Sequence, residues 1–176
     1  MVRLTVVSDT HGNWDLLSHA LSLARAGGRV DAVLHLGDEH TDIEGLVTQH
    51  EAAIGVPGLQ HPDYGSGKTP VSRVRQFDGL TVAMAHQPSD LPSLRDSAGP
   101  LLFLHGHTHS LAISVDPRGI RFNPGHLARP TDRGRPPSFG LVEISENRVT
   151  IRGLSLAGET LLESSWPPTL LRRNES

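Results

Sequence analysis

Val2-Arg3-Leu4-Thr5-Val6-Val7-Ser8-Asp9-Thr10-His11-Gly12-Asn13 is the stretch that decides the fold. Val2 to Val7 reads as a strand, and the apolar run Leu4 to Val7 as a buried one. An Asp and a His two residues apart at its end point the same way out of the sheet. A carboxylate beside an imidazole suits a divalent metal of borderline softness. Gly12 lets the chain turn sharply, and Asn13 can cap a helix that starts at Trp14. Taken alone, these residues are also readable as a polar turn with a capping Asp.

Three later segments repeat the pattern. Gly37-Asp38 closes the apolar run Ala32 to Leu36, His86 ends the run Leu80 to Ala85, and Gly106-His107-Thr108-His109 follows the run Leu101 to Leu104. Each polar group stands just past the C-terminal end of a predicted strand, where open α/β sheets place their ligands. Two carboxylates and four histidines at such positions can hold two metals.

The ordered set Asp9-x-His11, Gly37-Asp38, His86 and Gly106-His107-x-His109 resembles the calcineurin-like metallophosphoesterases. The opening Ser-Asp-Thr-His-Gly-Asn, the small size and Asn123-Pro124-Gly125 resemble that family's single-domain bacterial and archaeal phosphodiesterase branch. The resemblance covers roughly residues 2 to 145. It implies an α/β fold, a four-layer α/β/β/α sandwich of two mixed sheets flanked by helices. It also implies two divalent ions, manganese first, with iron, nickel, zinc or cobalt as alternatives. Asp9, His11, Asp38 and His109 would hold one, Asp38, His86 and His107 the other, and Asp38 would bridge them. Two such ions about 3.5–4 Å apart activate a shared water and clamp a phosphoryl group. The implied activity is hydrolysis of a phosphodiester or small phosphomonoester by a dimetal-activated hydroxide.

The whole chain sets bounds on this reading. Its 176 residues suit one domain with a proper core. With 19 acidic and 16 basic side chains the formal net charge is −3, against bulk-charge binding of nucleic acid. There is no cysteine, hence no disulfide framework and no thiol nucleophile. No signal peptide or apolar span long enough for a membrane stands out, so a cytoplasmic protein is expected. A phosphate-ester substrate is the expected partner, with no membrane and no stable nucleic-acid complex; a homo-oligomer is compatible with the sequence.

Strand and helix alternate in the first half. Leu17, Leu21 and Ala24 recur at helical spacing from Trp14 to Ala26, and Gly27-Gly28 ends that helix. Thr41-Asp42-Ile43-Glu44 reads as a capping box opening a short second helix. A third strand covers Ala52 to Val56, and residues 57–70 form a long loop rich in Gly and Pro. The second half turns to hairpins, with Asp78-Gly79 as a tight turn. A short helix is expected over Asp90 to Ala98, final strands over Phe139–Ile144 and Val149–Leu154, and a loosely ordered tail from Ser164. Residues 129–137, rich in Arg and Pro, read as a surface loop.

The chain departs from the family at its third motif, Gly-Asn followed by Cys-Asp or His-Asp, whose Asn binds the second metal. Here the stretch is Ile54-Gly55-Val56-Pro57-Gly58-Leu59-Gln60-His61-Pro62-Asp63, and Val56 or Leu59 occupies the Asn position. His61 is the candidate to compensate, as a metal ligand or as the catalytic acid that protonates the leaving group. A loop-surface histidine is the other reading of it. His126 replaces the Ser that usually follows Asn-Pro-Gly. His35 reads as packing or as a support behind the metal ligands. The alternative function is a non-catalytic protein-binding scaffold on the same fold, a use known in this family after loss of a metal-site His. His86 argues for catalysis, and the missing Asn for the scaffold.

Overall fold

The computed structural model describes residues 1–94, 101–117 and 119–167. In chain order the elements are β1 (Val2–Val7), α1 (Trp14–Ala26), β2 (Ala32–His35), β3 (Ala52–Gly55), β4 (Ser72–Phe77), β5 (Leu80–Ala85), β6 (Leu101–His105), β7 (Ala112–Asp116), β8 (Gly119–Asn123), β9 (Ser138–Ser145), β10 (Arg148–Ser155) and β11 (Thr160–Trp166), with 3₁₀ turns at His40–Ile43 and Pro88–Asp90. They form two mixed sheets, ordered β11-β10-β9-β1-β2-β3 and β4-β5-β6-β8-β7. β1, β2 and β3 run parallel in the first sheet; β5, β6 and β8 run parallel in the second. The α/β sandwich of two mixed sheets expected from the sequence is the fold of this chain.

Period-two alternation explains the layering. Leu4 and Val6 of β1, Val82 and Met84 of β5, Leu102 and Leu104 of β6, and Phe122 of β8 bury one face of each sheet against the other. Val7 and Val33 point to the opposite face, where Leu17, Ala20, Leu21 and Ala24 of α1 cover them. Each fully buried Leu, Val or Phe contributes about 1.5–3 kcal/mol over the exposed side chain. Asn13 caps α1, accepting from Leu16 N at 3.2 Å, and its Nδ2 donates to Ala128 O at 3.0 Å. At the other end Arg3 donates to the carbonyls of Ala24 and Gly28 at 2.8 and 2.9 Å, a cation at the helix C-terminus that also ties α1 to β1.

Three expectations are corrected. The segment opening at Thr41 is a 3₁₀ turn without a side-chain cap, and Glu44 stands at its C-terminal end. Asp42 is drawn inward instead, accepting from Thr10 Oγ1 at 2.7 Å. No helix starts at Asp90. Leu91 is extended (ψ 130°) because Pro92 disfavours the helical region before it, and Leu91 and Leu94 lie over Ala83, Leu101 and Phe103. The remainder of that expected helix, through Ala98, falls outside the described residues. Ser164 to Trp166 are not loose. They belong to β11, where Ser164 pairs with Ile151, and Trp166 pairs with Val149 and packs on the inter-sheet core.

The sheets pack tightly where Phe122 of β8 lies over Gly140 of β9. A Cβ on Gly140 would stand 2.3 Å from the Phe122 ring. Gly140→Ala should therefore cost about 1–3 kcal/mol by overpacking, and Phe122→Ala about 3–5 kcal/mol by cavity formation. Denaturant unfolding of both single variants and the double variant should show non-additivity, the Gly140→Ala penalty shrinking once the ring is gone.

Candidate metal centre

The parallel strands deliver their C-terminal ends to one edge of the sandwich. Asp9 and His11 follow β1, Asp38 follows β2, His86 follows β5, and His107 and His109 follow β6. Backbone hydrogen bonds lock these turns together: Asp9 N to Gly37 O at 2.6 Å, and Gly106 N to His86 O at 3.0 Å. Asp9, His11, His107 and His109 all have positive φ, between 48° and 66°. Non-glycine residues rarely adopt that region, and such strain clusters at functional sites. Gly106 admits the second sheet to the first, since a Cβ there would stand 1.9 Å from Ser8 Oγ and 2.7 Å from Asp9 Oδ2. Gly58 does the same beside Asp38, where a Cβ would fall 2.1 Å from Oδ1.

The side chains form a matched set of acceptors. Asp9 is fully buried; its Oδ2 accepts from Ser8 Oγ at 2.5 Å and His107 N at 3.1 Å. Its Oδ1 has no hydrogen-bond donor, although His109 Nε2 lies 3.1 Å away. His109 Nδ1 is 2.5 Å from Asp132 Oδ2, and a carboxylate only accepts, so Nδ1 carries the proton. With Nδ1 committed to Asp132, His109 turns Nε2 towards Asp9. His86 repeats the arrangement: Nδ1 lies 2.8 Å from Leu36 O and must donate, leaving Nε2 bare, 3.5 Å from Asp38 Oδ1. His11 Nε2 approaches the other oxygen, Asp38 Oδ2, at 3.2 Å. Facing acceptors repel unless a cation lies between them, and imidazoles oriented through their second nitrogen are how proteins present metal ligands. The donor set, two carboxylates and four histidines, fits divalent Mn, Fe, Co, Ni or Zn.

Without an ion between them, Asp9 and His109 balance each other's charge. Burial opposes ionisation of Asp9, but contact with His109, the nearby His86 and the Ser8 hydroxyl outweigh it and hold its pKa below the usual carboxylate range. His109 is raised by Asp9, against a smaller effect of burial.

All six metal residues expected from the sequence line or flank one cavity of about 420 Å³. Ligand atoms of Asp9, His11 and His109 lie mutually within 4.8 Å, as do those of Asp9, Asp38 and His86. His107 completes the wall, its ring centroid 5.2 Å from that of His86. His61 does not line this cavity; it packs on His40, ring centroids 4.5 Å apart. The contact of Gly58 with Asp38 sets the register of the third motif. The next residue, Leu59, lines the cavity, whereas Val56 is buried in the core. Both residues considered for the Asn position are apolar, and of the two only Leu59 reaches the cavity.

The surface loop expected at 129–137 proves to be part of the site. Arg129, Asp132 and Arg133 line the cavity, with Arg129 Nε 3.1 Å and Arg133 Nε 3.7 Å from Asp132. His126 anchors this loop. It is buried, stacks on His109 at 5.3 Å, and its ring nitrogens engage Arg135 O and Ala128 N. The clue was Asn123-Pro124-Gly125 with its unusual His126, but neither residue type indicates that the following Arg-rich stretch folds back over a β1–β6 edge. Asn123 organises the double-His turn, donating to Gly106 O at 3.0 Å and Thr108 Oγ1 at 2.9 Å.

Behind the site His35 is wholly buried. Gly37 N donates to its Nδ1, so its Nε2–H faces Thr10 Oγ1 at 3.2 Å. Burial pushes its pKa down to about 3 from 6.5. Between those values the unfolded chain binds the extra proton, so His35 makes stability fall as pH drops from 6.5 towards 3, by about 1.4 kcal/mol per pH unit. Denaturant titrations of the metal-free protein at pH 7, 6 and 5 should show a shallower dependence for His35→Gln. Equal slopes would mean that this imidazole is not held neutral.

A family model for the calcineurin-like phosphoesterase superfamily domain matches residues 2–147. No curated protein matches the chain by sequence comparison. Among solved structures, the E. coli phosphoesterase YfcE is similar with a TM-score of 0.69 and 19% identity, over 93% of this chain and 98% of that one. A conserved uncharacterized protein of Streptococcus pneumoniae, described as a predicted phosphoesterase, gives 0.65 and 19%, over 94% and 97%. Vps29 of Entamoeba histolytica complexed with Zn²⁺ gives 0.60 and 19%, over 94% and 99%. These likenesses carry the fold, and the family match carries the membership: the chain belongs to the calcineurin-like phosphoesterase superfamily.

Proposed function

We propose that this chain is a metal-dependent phosphoesterase that hydrolyses a phosphodiester or a small phosphomonoester. The observation that supports it most is the buried Asp9 Oδ1, without a donor and facing a histidine nitrogen whose partner nitrogen is committed to Asp132. Asp9, His11, Asp38 and His109 would hold one divalent ion, and Asp38, His86 and His107 a second, with manganese the first candidate. When bound, such ions acidify water and offset the charge of a phosphoryl group.

The chain's own residues orient and select. Asp132 keeps the His109 proton on Nδ1, and the turns after β1 and β6 hold the ligand side chains without rearrangement. Arg129 and Arg133 stand at the rim, their side chains 64% and 58% exposed, and each has further N–H groups to offer a phosphate. Leu59 supplies neither a ligand nor a phosphate contact, so the site beside His86 has one protein ligand fewer than the family motif provides.

A second reading, a protein-binding scaffold, draws on Leu59 and on the Vps29 neighbours, which share the fold. Turnover separates the two. Hydrolysis of an aryl phosphodiester or phosphomonoester should require added Mn²⁺ and stop with chelator. Asp38→Asn and His107→Ala should each lower kcat by roughly 10²–10³, as expected for loss of a transition-state charge cradle. A folded, metal-loaded protein inactive with every candidate ion would favour the scaffold.

Asp132→Asn tests the support behind His109. Metal affinity should fall about 10–100-fold, as for other losses of a partner behind a ligating histidine. Calorimetric titration of the metal-free variant against wild type measures it, and unchanged affinity would remove Asp132 from the site.

A further inference from the structure

We propose that His40, His61 and Asp63 form a second, mononuclear divalent-metal site that is independent of the cluster at the strand ends. None of the three lines the first cavity. His40 comes from the 3₁₀ turn after Asp38, and His61 and Asp63 from the loop after β3. Their ligand atoms lie mutually within 4.8 Å.

The spacing is that of ligands rather than of hydrogen-bond partners. His40 Nε2 and His61 Nδ1 each stop 3.9 Å from Asp63 Oδ2, and His61 Nδ1 accepts from Asp63 N at 3.1 Å, a bond that an ion held on that nitrogen would displace. The first two separations are too long for a hydrogen bond, but two donors each about 2.1 Å from one ion stand roughly 3–4 Å apart. His40 is 7% exposed, and its Nδ1 is buried with no hydrogen-bond partner, an unfavourable state for a polar group out of water. Among the described residues no Arg or Lys pairs with Asp63; Arg73, the nearby cation, donates its Nε to Gly55 O at 2.8 Å.

The surroundings complete the site. Thr69 Oγ1 donates to Asp63 Oδ2 at 3.0 Å, orienting the carboxylate as the outer partners of metal ligands do. His40 and Thr69 also line a second cavity of about 200 Å³, together with Glu44, Arg73 and Arg75, which gives the His40 side of the triad access to solvent. Two imidazoles and one carboxylate suit Zn²⁺ with an open position. The ion would tie the loop carrying Leu59 and Gln60, at the mouth of the first cavity, to the turn after Asp38.

The test is Zn²⁺ binding to the full-length metal-free protein, by calorimetry and elemental analysis after dialysis. In a His86→Ala/His107→Ala background, where the first centre is crippled, the Zn²⁺ bound with micromolar or better affinity should fall by one equivalent per chain when His61→Ala is added. In the otherwise wild-type protein, His61→Ala and Asp63→Asn should each bind one equivalent fewer than wild type while keeping Mn²⁺-dependent turnover and the circular dichroism spectrum. Unchanged stoichiometry and affinity in both single variants would overturn the site, whatever the first centre does. So would loss of all bound metal from either variant, because these residues would then serve the first centre.

Discussion

The contact of Gly106 with Ser8 and Asp9 is the constraint on which the rest of the molecule turns. It joins the C-terminal end of β6, in one sheet, to that of β1, in the other, at a distance no larger side chain would allow. His107 N and Ser8 Oγ both donate to Asp9 Oδ2, so one carboxylate oxygen staples the sheets and the other is left for the site. A single buried Asp thereby couples sandwich packing to the geometry of the cavity.

Holding six cavity-lining Asp and His residues on turns has a conformational cost. Four of them occupy the left-handed region, at about 1–3 kcal/mol each for non-glycine residues. The core between the sheets, built from Leu4, Val6, Val82, Met84, Leu102, Leu104 and Phe122, offsets it. The backbone bonds among the turns after β1, β2, β5 and β6 then prevent relaxation. The result is a preorganised cluster whose donors need little movement to engage charge, the property electrostatic catalysis requires.

Two loops give this member of the superfamily its own character. The segment around Leu59 puts an apolar side chain at the cavity mouth, and the 129–133 segment adds two guanidiniums held by Asp132. The His126 stack on His109 and its bonds to the loop backbone hold that segment against the cavity.

Much of this was legible in the sequence by itself. Local periodicity and turn chemistry define β1, α1, β2 and the Asp78-Gly79 hairpin, because alternation, Asn13 and the Gly positions act over a few residues. The six residues that line the cavity were recognisable because a polar group directly after a buried strand has one direction in which to point. Tertiary structure alone decided the rest. Leu59 rather than Val56 faces the cavity because Gly58 must pass Asp38. His61 leaves the cluster because the loop after β3 carries it to His40, which no spacing rule predicts. Asp132, Arg129 and Arg133 enter the site because His126 anchors a loop that local sequence marks only as exposed. β11 forms because the edge of β10 offers unpaired backbone groups and Trp166 finds the inter-sheet core, contacts between distant segments that exist only once the sheets have assembled.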